Sequence, residues 1–117
     1  MESLTLAKKI LEILEDMKAE NVRCFDVRGK SSITDFNILA TGSSSPHLRA
    51  IVSEVRSRMR DDDVPSYRSS GEPESGWVVL DYLNVIVHVF TPEAREYYDL
   101  DGLWKDSPLI DAASDEA

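Results

Sequence analysis

Two runs of β-forming residues, 77–82 and 85–90, stand only two residues apart, and this spacing narrows the fold more than any other feature of the 117-residue chain. A two-residue connection makes them adjacent antiparallel strands. In that register Tyr82 faces Val85, Asp81 faces Ile86, Leu80 faces Val87, Val79 faces His88, Val78 faces Val89 and Trp77 faces Phe90. Alternation then sorts the side chains onto two faces. Val78, Leu80, Tyr82, Val85, Val87 and Val89 make one face almost wholly apolar, which predicts packing against helices. Trp77, Val79, Asp81, Ile86, His88 and Phe90 make the other, where aromatics sit beside an acid and an imidazole. Such a face either packs under a further helix or meets a partner, and the sequence leaves both open. The connector Leu83-Asn84 fits a tight turn in length but not in type, because positive φ disfavours Leu, so a slightly longer loop also stays open.

The rest of the chain supplies the helices and further strands. Leu6, Ala7, Ile10, Leu11, Leu14 and Met17 recur at helical spacing, with Lys8, Lys9, Glu12, Glu15 and Asp16 on the opposite face, so a first amphipathic helix is predicted with Ser3 as its cap. Short strands are predicted at 22–28 and 35–41. Gly42-Ser43-Ser44-Ser45-Pro46 then leads into a second helix, with Ser45 as N-cap, Pro46 in the first helical position and Leu48, Ile51, Val52, Val55 and Met59 as the buried stripe. Asp61-Asp62-Asp63 ends that helix, a brief strand is expected at 64–68, and 69–76 reads as a loop. Thr91-Pro92-Glu93 predicts a short helix over 93–98. Residues 108–117 have little to bury and are predicted to be a disordered acidic tail, leaving residues 1–107 as one domain. The fold class is therefore α/β, a mixed sheet with packed helices, in which the second helix is long enough to cross over between parallel strands.

The net charge of −9 is unevenly placed. Residues 1–30 balance six basic against six acidic side chains, 31–60 carry four against two, and 61–117 carry three against fourteen. An acidic half of this kind repels phosphate backbones and attracts basic surfaces, so a basic protein partner is favoured over direct nucleic-acid readout. The single cysteine, Cys24, excludes an intrachain disulfide or cysteine metal cluster and reads as a buried hydrophobe. No apolar run nears the roughly 20 residues that span a bilayer, and a cytoplasmic protein is expected.

Two catalytic readings can be built and both lack parts. The Gly42-Ser45 loop at a helix start could hold a phosphate, as in nucleotidyltransferases, but such enzymes also need paired carboxylates on a neighbouring strand, and the closely spaced pair here is Asp99 and Asp101, elsewhere in the chain. Asp81 and His88 could pair diagonally as an acid and a base, yet no nucleophile is evident. Arg49, Arg56 and Arg60 share a face of the second helix and could touch RNA, although Glu54 is placed to pair with Arg58. The residues imply no cofactor, no metal and no catalytic group; a homodimer is compatible with them.

The segments Asp26-Val27-Arg28-Gly29-Lys30-Ser31-Ser32-Ile33-Thr34-Asp35-Phe36, Ala40-Thr41-Gly42-Ser43-Ser44-Ser45, Trp77-Val78-Val79-Leu80-Asp81-Tyr82, Val85-Ile86-Val87-His88-Val89-Phe90 and Glu96-Tyr97-Tyr98-Asp99-Leu100, with Leu103-Trp104, closely resemble the ribosomal silencing factor, or Iojap-like, family in order and spacing. The resemblance implies a nucleotidyltransferase-like fold lacking catalytic residues. It also implies binding to ribosomal protein fourteen of the large ribosomal subunit, a block on small-subunit joining, and repression of translation when nutrients are scarce. By position, Trp77, Asp81, Tyr82 and His88 match the family's signature segment, and Tyr98, Leu103 and Trp104 its closing one; with Phe90 these are the expected partner-binding residues. Leu83 departs from the Gly that many relatives carry in the turn. A secondary contact with ribosomal RNA is compatible with the same partner.

Overall fold

The computed structural model describes residues 1–112. Residues 113–117, the end of the expected tail, lie outside the described residues. Along the chain run α1 (Ser3–Asp16), β1 (Glu20–Asp26), β2 (Phe36–Thr41), α2 (Ser45–Asp61), β3 (Arg68–Ser70), a 3-10 turn at Pro73–Ser75, β4 (Trp77–Asp81), β5 (Val85–Phe90), α3 (Pro92–Tyr98), α4 (Leu100–Leu103) and β6 (Leu109–Ile110). The strands form one mixed sheet in the order β3-β4-β5-β2-β1-β6. Only β2 and β5 pair in parallel among the described strands. The path between them, through α2 and the β3/β4 pair, supplies the crossover that a parallel pairing requires.

The β4/β5 hairpin has the expected register, with Trp77 opposite Phe90, Val79 opposite His88 and Asp81 opposite Ile86. The Tyr82 N–H donates to the Val85 carbonyl at 2.9 Å, so the connection is the two-residue one. Leu83 takes the disfavoured positive φ of 71°. Asp81 stabilises that conformation, because its Oδ1 accepts the Leu83 N–H at 2.7 Å. The Asn84 carbonyl in turn accepts N–H groups from Asp35 and Phe36 at 3.0 and 3.2 Å, which ties the hairpin tip to the start of β2.

Several local boundaries differ from the sequence reading, each because a backbone group finds a nearer partner. Ser44, not Ser45, caps α2; its Oγ accepts the His47 N–H at 3.2 Å, and Ser45 is already helical. Glu2 precedes α1 without a side-chain cap bond, so Ser3 belongs to the helix and does not cap it. The short strand predicted at 64–68 is displaced to Arg68–Ser70, because the Val64 N–H closes the end of α2 on the Met59 carbonyl at 2.8 Å. The tail expected from residue 108 instead begins with strand β6, in which Leu109 and Ile110 pair with Phe25 and Cys24. The exposed edge of β1 offers unpaired backbone groups, and even a two-residue segment with little to bury can satisfy them.

The apolar hairpin face lies under α1 and α2 as predicted. Val78, Leu80, Tyr82, Val85, Val87 and Val89 join Phe36, Ile38 and Ala40 of β2, the α1 residues Leu6, Ile10, Ile13 and Leu14, and the α2 stripe Leu48, Ile51, Val52, Val55 and Met59. Each fully buried aliphatic side chain contributes about 1.5–3 kcal/mol of hydrophobic stabilisation. Cys24 is fully buried in this core and burial pushes its thiol pKa up to about 12, so it behaves as a hydrophobe. No helix among the described residues is long and apolar enough to cross a membrane.

Tyr82 is only 6% exposed, and its hydroxyl finds no hydrogen-bond partner among the described residues. Burial raises its pKa to about 12. Removing an unpaired buried hydroxyl relieves a desolvation cost. Tyr82→Phe is therefore expected to be neutral or to stabilise the fold by up to about 1 kcal/mol, measured by urea unfolding; a loss of more than that would show that the hydroxyl holds an essential bond.

Candidate partner-binding surface

The second hairpin face is covered at one end and only half-buried at Val79, Asp81 and Ile86 toward the other. Cross-strand register lays it out in rows, with Trp77, Phe90 and Thr41 nearest the covered end, then Val79, His88 and Leu39, and then Asp81, Ile86 and Asn37 toward the hairpin tip. At the covered end the chain after β5 folds back over the sheet. Thr91 caps α3 by accepting the Ala94 N–H, and Pro92 opens the helix. Asp99, with a φ of 48°, closes α3 and accepts the Gly102 N–H to start α4. A side chain at position 102 would meet Asp99 Oδ2 at 2.5 Å and displace the capping carboxylate. Phe25, Val27, Leu39 and Phe90 form a second, smaller core beneath Ala94, Leu100, Trp77 and Trp104.

Arg95 holds this cover in place. Its guanidinium grips both carboxylate oxygens of Asp101 at 2.8 and 2.9 Å, while Nη1 also donates to the Asn21 carbonyl at 2.6 Å and to Thr41 Oγ1 at 2.9 Å. One planar cation thereby joins α3, α4, the end of β2 and the bulged start of β1. These Arg95 hydrogen bonds hold the Asp101 carboxyl below the usual carboxylate range. A cleft of about 690 Å³ runs beside Arg95, with Glu20, Glu96 and Lys105 among its lining residues.

Above the small core the aromatic rings form a continuous series. Trp77 stacks on Phe90 at 5.3 Å and meets Tyr98 at 4.6 Å, Tyr98 meets Tyr97 edge-on at 5.0 Å, and Trp104 bridges His88 and Phe25 at 5.9 Å from each. Tyr97 and Leu103 are 81% and 68% exposed, and Tyr98 is also exposed. Trp77, Asp81 and Trp104 are half-buried. His88 is 8% exposed; its Nδ1 accepts the Trp77 indole N–H at 3.2 Å, and burial lowers its pKa to about 4.

Two of the expected contact residues are therefore corrected. Phe90 is fully buried under Trp77, and Tyr82 lies in the helix-covered core on the opposite face of the sheet, so both support the fold and offer no surface. Trp77, Tyr98 and Trp104 are brought together around a buried His88, whereas Leu103 is exposed on α4 and Asp81 sits toward the hairpin tip. The acid and base pairing of Asp81 with His88 does not form: Asp81 accepts from Leu83 and lies 3.9 Å from Arg68, and His88 is engaged by Trp77. The Gly42-Ser45 loop is also committed internally, since the Ser43 N–H donates to His47 Nδ1 at 2.9 Å and His47 Nε2 meets the Met17 carbonyl at 2.8 Å. Asp99 caps α4 and Asp101 is held by Arg95, which leaves that carboxylate pair occupied. Among the described residues, no group of three or more His, Cys, Asp or Glu side chains is placed to hold a metal ion. Sequence reasoning missed Arg95 and Phe25; neither carries a local signal, because their partners are fixed by sheet order and by the fold-back after β5.

A family model described as ribosomal silencing factor during starvation matches residues 1–117. The chain belongs to the ribosomal silencing factor family. It is 33% identical over 108 residues to the ribosomal silencing factor RsfS of Bacillus subtilis, covering 89% of this chain and 92% of the relative. It is 35% identical over 101 residues to that of Haemophilus influenzae, covering 86% and 99%. A mitochondrial Iojap-related protein of Arabidopsis thaliana is 34% identical over 107 residues, 88% of this chain and 58% of that protein. A crystal structure from Chromobacterium violaceum aligns with a TM-score of 0.85 at 32% identity, covering 90% of this chain and 88% of that one; one from Bacillus halodurans gives 0.80 at 30%, covering 92% and 98%. The ribosomal silencing factor fold in this chain thus places its cover helices by a partly buried ion pair.

Asp101 and Asp26 both ionise more readily in the folded chain than in the unfolded one, the first through Arg95 and the second through Arg28. Their stabilising contribution is complete above the unfolded carboxylate value of about 4 and is lost as pH falls through the depressed folded values. Asp101→Asn is expected to cost stability at neutral pH, with the gap to the parent closing as urea unfolding is repeated from about pH 7 down to about pH 3. Arg95→Ala is expected to cost about 1–3 kcal/mol and to loosen α4, read from faster amide exchange in Leu100–Leu103.

Proposed function

We propose that this chain represses translation by binding the large ribosomal subunit through ribosomal protein fourteen and blocking the joining of the small subunit. The observation that carries this reading is the exposed aromatic ledge in which Tyr97 meets Tyr98 and Tyr98 meets half-buried Trp77, with exposed Leu103 next to half-buried Trp104 in the chain. Aromatic anchors in a well-packed setting supply most of the affinity at protein interfaces. The family name gives the ribosome as the target, and Glu93, Glu96 and Asp99 beside the ledge suit a basic protein surface. Their charge speeds encounter and fixes orientation more than it adds affinity. Asp81, toward the hairpin tip, is assigned to the rim of the same contact.

A secondary contact with ribosomal RNA would use Arg56 and Arg60, both exposed on α2; Arg49 is already paired with Glu74. No catalysis is part of this function, and incubation with nucleoside triphosphates and Mg²⁺ is expected to give no turnover.

The test is sedimentation with purified large subunits, followed by addition of small subunits. The parent is expected to co-sediment and to reduce subunit joining. Trp77→Ala and Leu103→Asp, shown to be folded by circular dichroism, are each expected to weaken binding by about 2 kcal/mol, roughly thirtyfold. Binding of both variants as tight as the parent would remove the ledge from the interface. A parent that does not bind large subunits would overturn the function itself.

A further inference from the structure

The ledge contains one polar group that touches no solvent-facing partner and yet is aimed at its central ring. We propose that His88 is a positioning residue of the partner-binding surface, whose Nδ1 accepts the Trp77 indole N–H and thereby fixes the face that Trp77 presents. The claim rests on the proposed function for its consequence and on geometry for its substance. Trp77 and His88 are diagonal neighbours across the β4/β5 pair, and the bond between them measures 3.2 Å. An indole on a sheet face can turn over about its outer torsion, and stacking alone favours neither orientation strongly. A hydrogen bond from Nε1 distinguishes the two orientations, because only one of them points the N–H at the imidazole.

The surroundings of His88 suit an acceptor and little else. Phe90 stacks against the imidazole at 6.2 Å, Trp104 lies 5.9 Å away and Trp77 6.0 Å, so the ring is enclosed by aromatics. With Nδ1 accepting, the proton resides on Nε2. Burial disfavours the cation and keeps the ring neutral at ordinary pH, so the acceptor is always available. A histidine that merely filled space here could be replaced by phenylalanine without consequence for Trp77.

That replacement is the test. The chain has two tryptophans, so the Trp77 indole N–H resonance is assigned by its disappearance in Trp77→Phe. His88→Phe keeps a planar ring and removes the acceptor; the Trp77 N–H is expected to shift, to exchange faster with solvent, and large-subunit binding to weaken about tenfold. His88→Asn places an oxygen near the Nδ1 position and is expected to restore both the slow exchange and most of the affinity. In the Trp77→Phe background, His88→Phe is expected to cause no further loss of binding. Unchanged indole exchange in His88→Phe, or an equal loss of binding in both backgrounds, would overturn the proposal. Should His88→Phe not fold, nitrogen correlation spectra of the unaltered protein decide the matter, since a protonated Nδ1 at neutral pH overturns it and an unprotonated Nδ1 with proton on Nε2 supports it. If the parent fails to bind large subunits, the proposed function falls while the indole measurements still decide the role of His88.

Discussion

Strand β5 has to satisfy two different environments at once, and the rest of the structure is arranged around that demand. It sits inside the sheet, paired in parallel with β2 and antiparallel with β4, so its backbone is fully used. Val85, Val87 and Val89 point into the main core with α1 and α2, while Ile86, His88 and Phe90 point to the other side. A shift of one residue in register would place an imidazole in the aliphatic core and expose three valines. The tip bonds at Leu83 and Asn84 and the parallel pairing with β2 hold this register from both sides of the strand.

The second face shows how a small chain builds a firm aromatic surface without another large domain. Two short helices could not hold their positions on propensity alone, since isolated helices of this length are unstable in water. Arg95 supplies the missing constraint by joining α3 and α4 to backbone and side-chain oxygens of β1 and β2. The small core of Phe25, Val27, Leu39 and Phe90 gives the half-buried tryptophans a floor. Exposed Tyr97, Tyr98 and Leu103 are then presented by a framework whose own groups are largely paired. In the proposed interface the half-buried tryptophans are thereby preorganised, while Tyr97 and Leu103 stay exposed for a partner to order.

Legibility varied with how local each cause was. The α2 stripe from Leu48 to Met59 and the hairpin register were readable, because period and turn length are written in adjacent residues. The Ser45 cap and the 64–68 strand differ by a few residues because Ser44 Oγ takes the His47 N–H and the Met59 carbonyl takes the Val64 N–H. Strand β6 was invisible, since Leu109 and Ile110 become a strand only when an unpaired β1 edge lies beside them. Of the expected site residues, Trp77, Tyr98 and Trp104 lie in one aromatic series with His88, but Tyr82 and Phe90 differ from the expectation for opposite reasons: Tyr82 falls on the core face by strand alternation, and Phe90 is sealed by the fold-back of α3 and α4.

The linear order of residues already specifies a mixed α/β domain, one core hairpin face and a match to the ribosomal silencing factor family. These follow from periodicity, composition and order, which are properties of the chain before it folds. Folding in three dimensions settles which aromatics are floor and which are surface, that Arg95 locks the cover, and that His88 faces an indole and not a carboxylate. Those outcomes depend on which segment after β5 lies over which end of the sheet, a choice made by packing and hydrogen-bond pairing between residues far apart in the sequence.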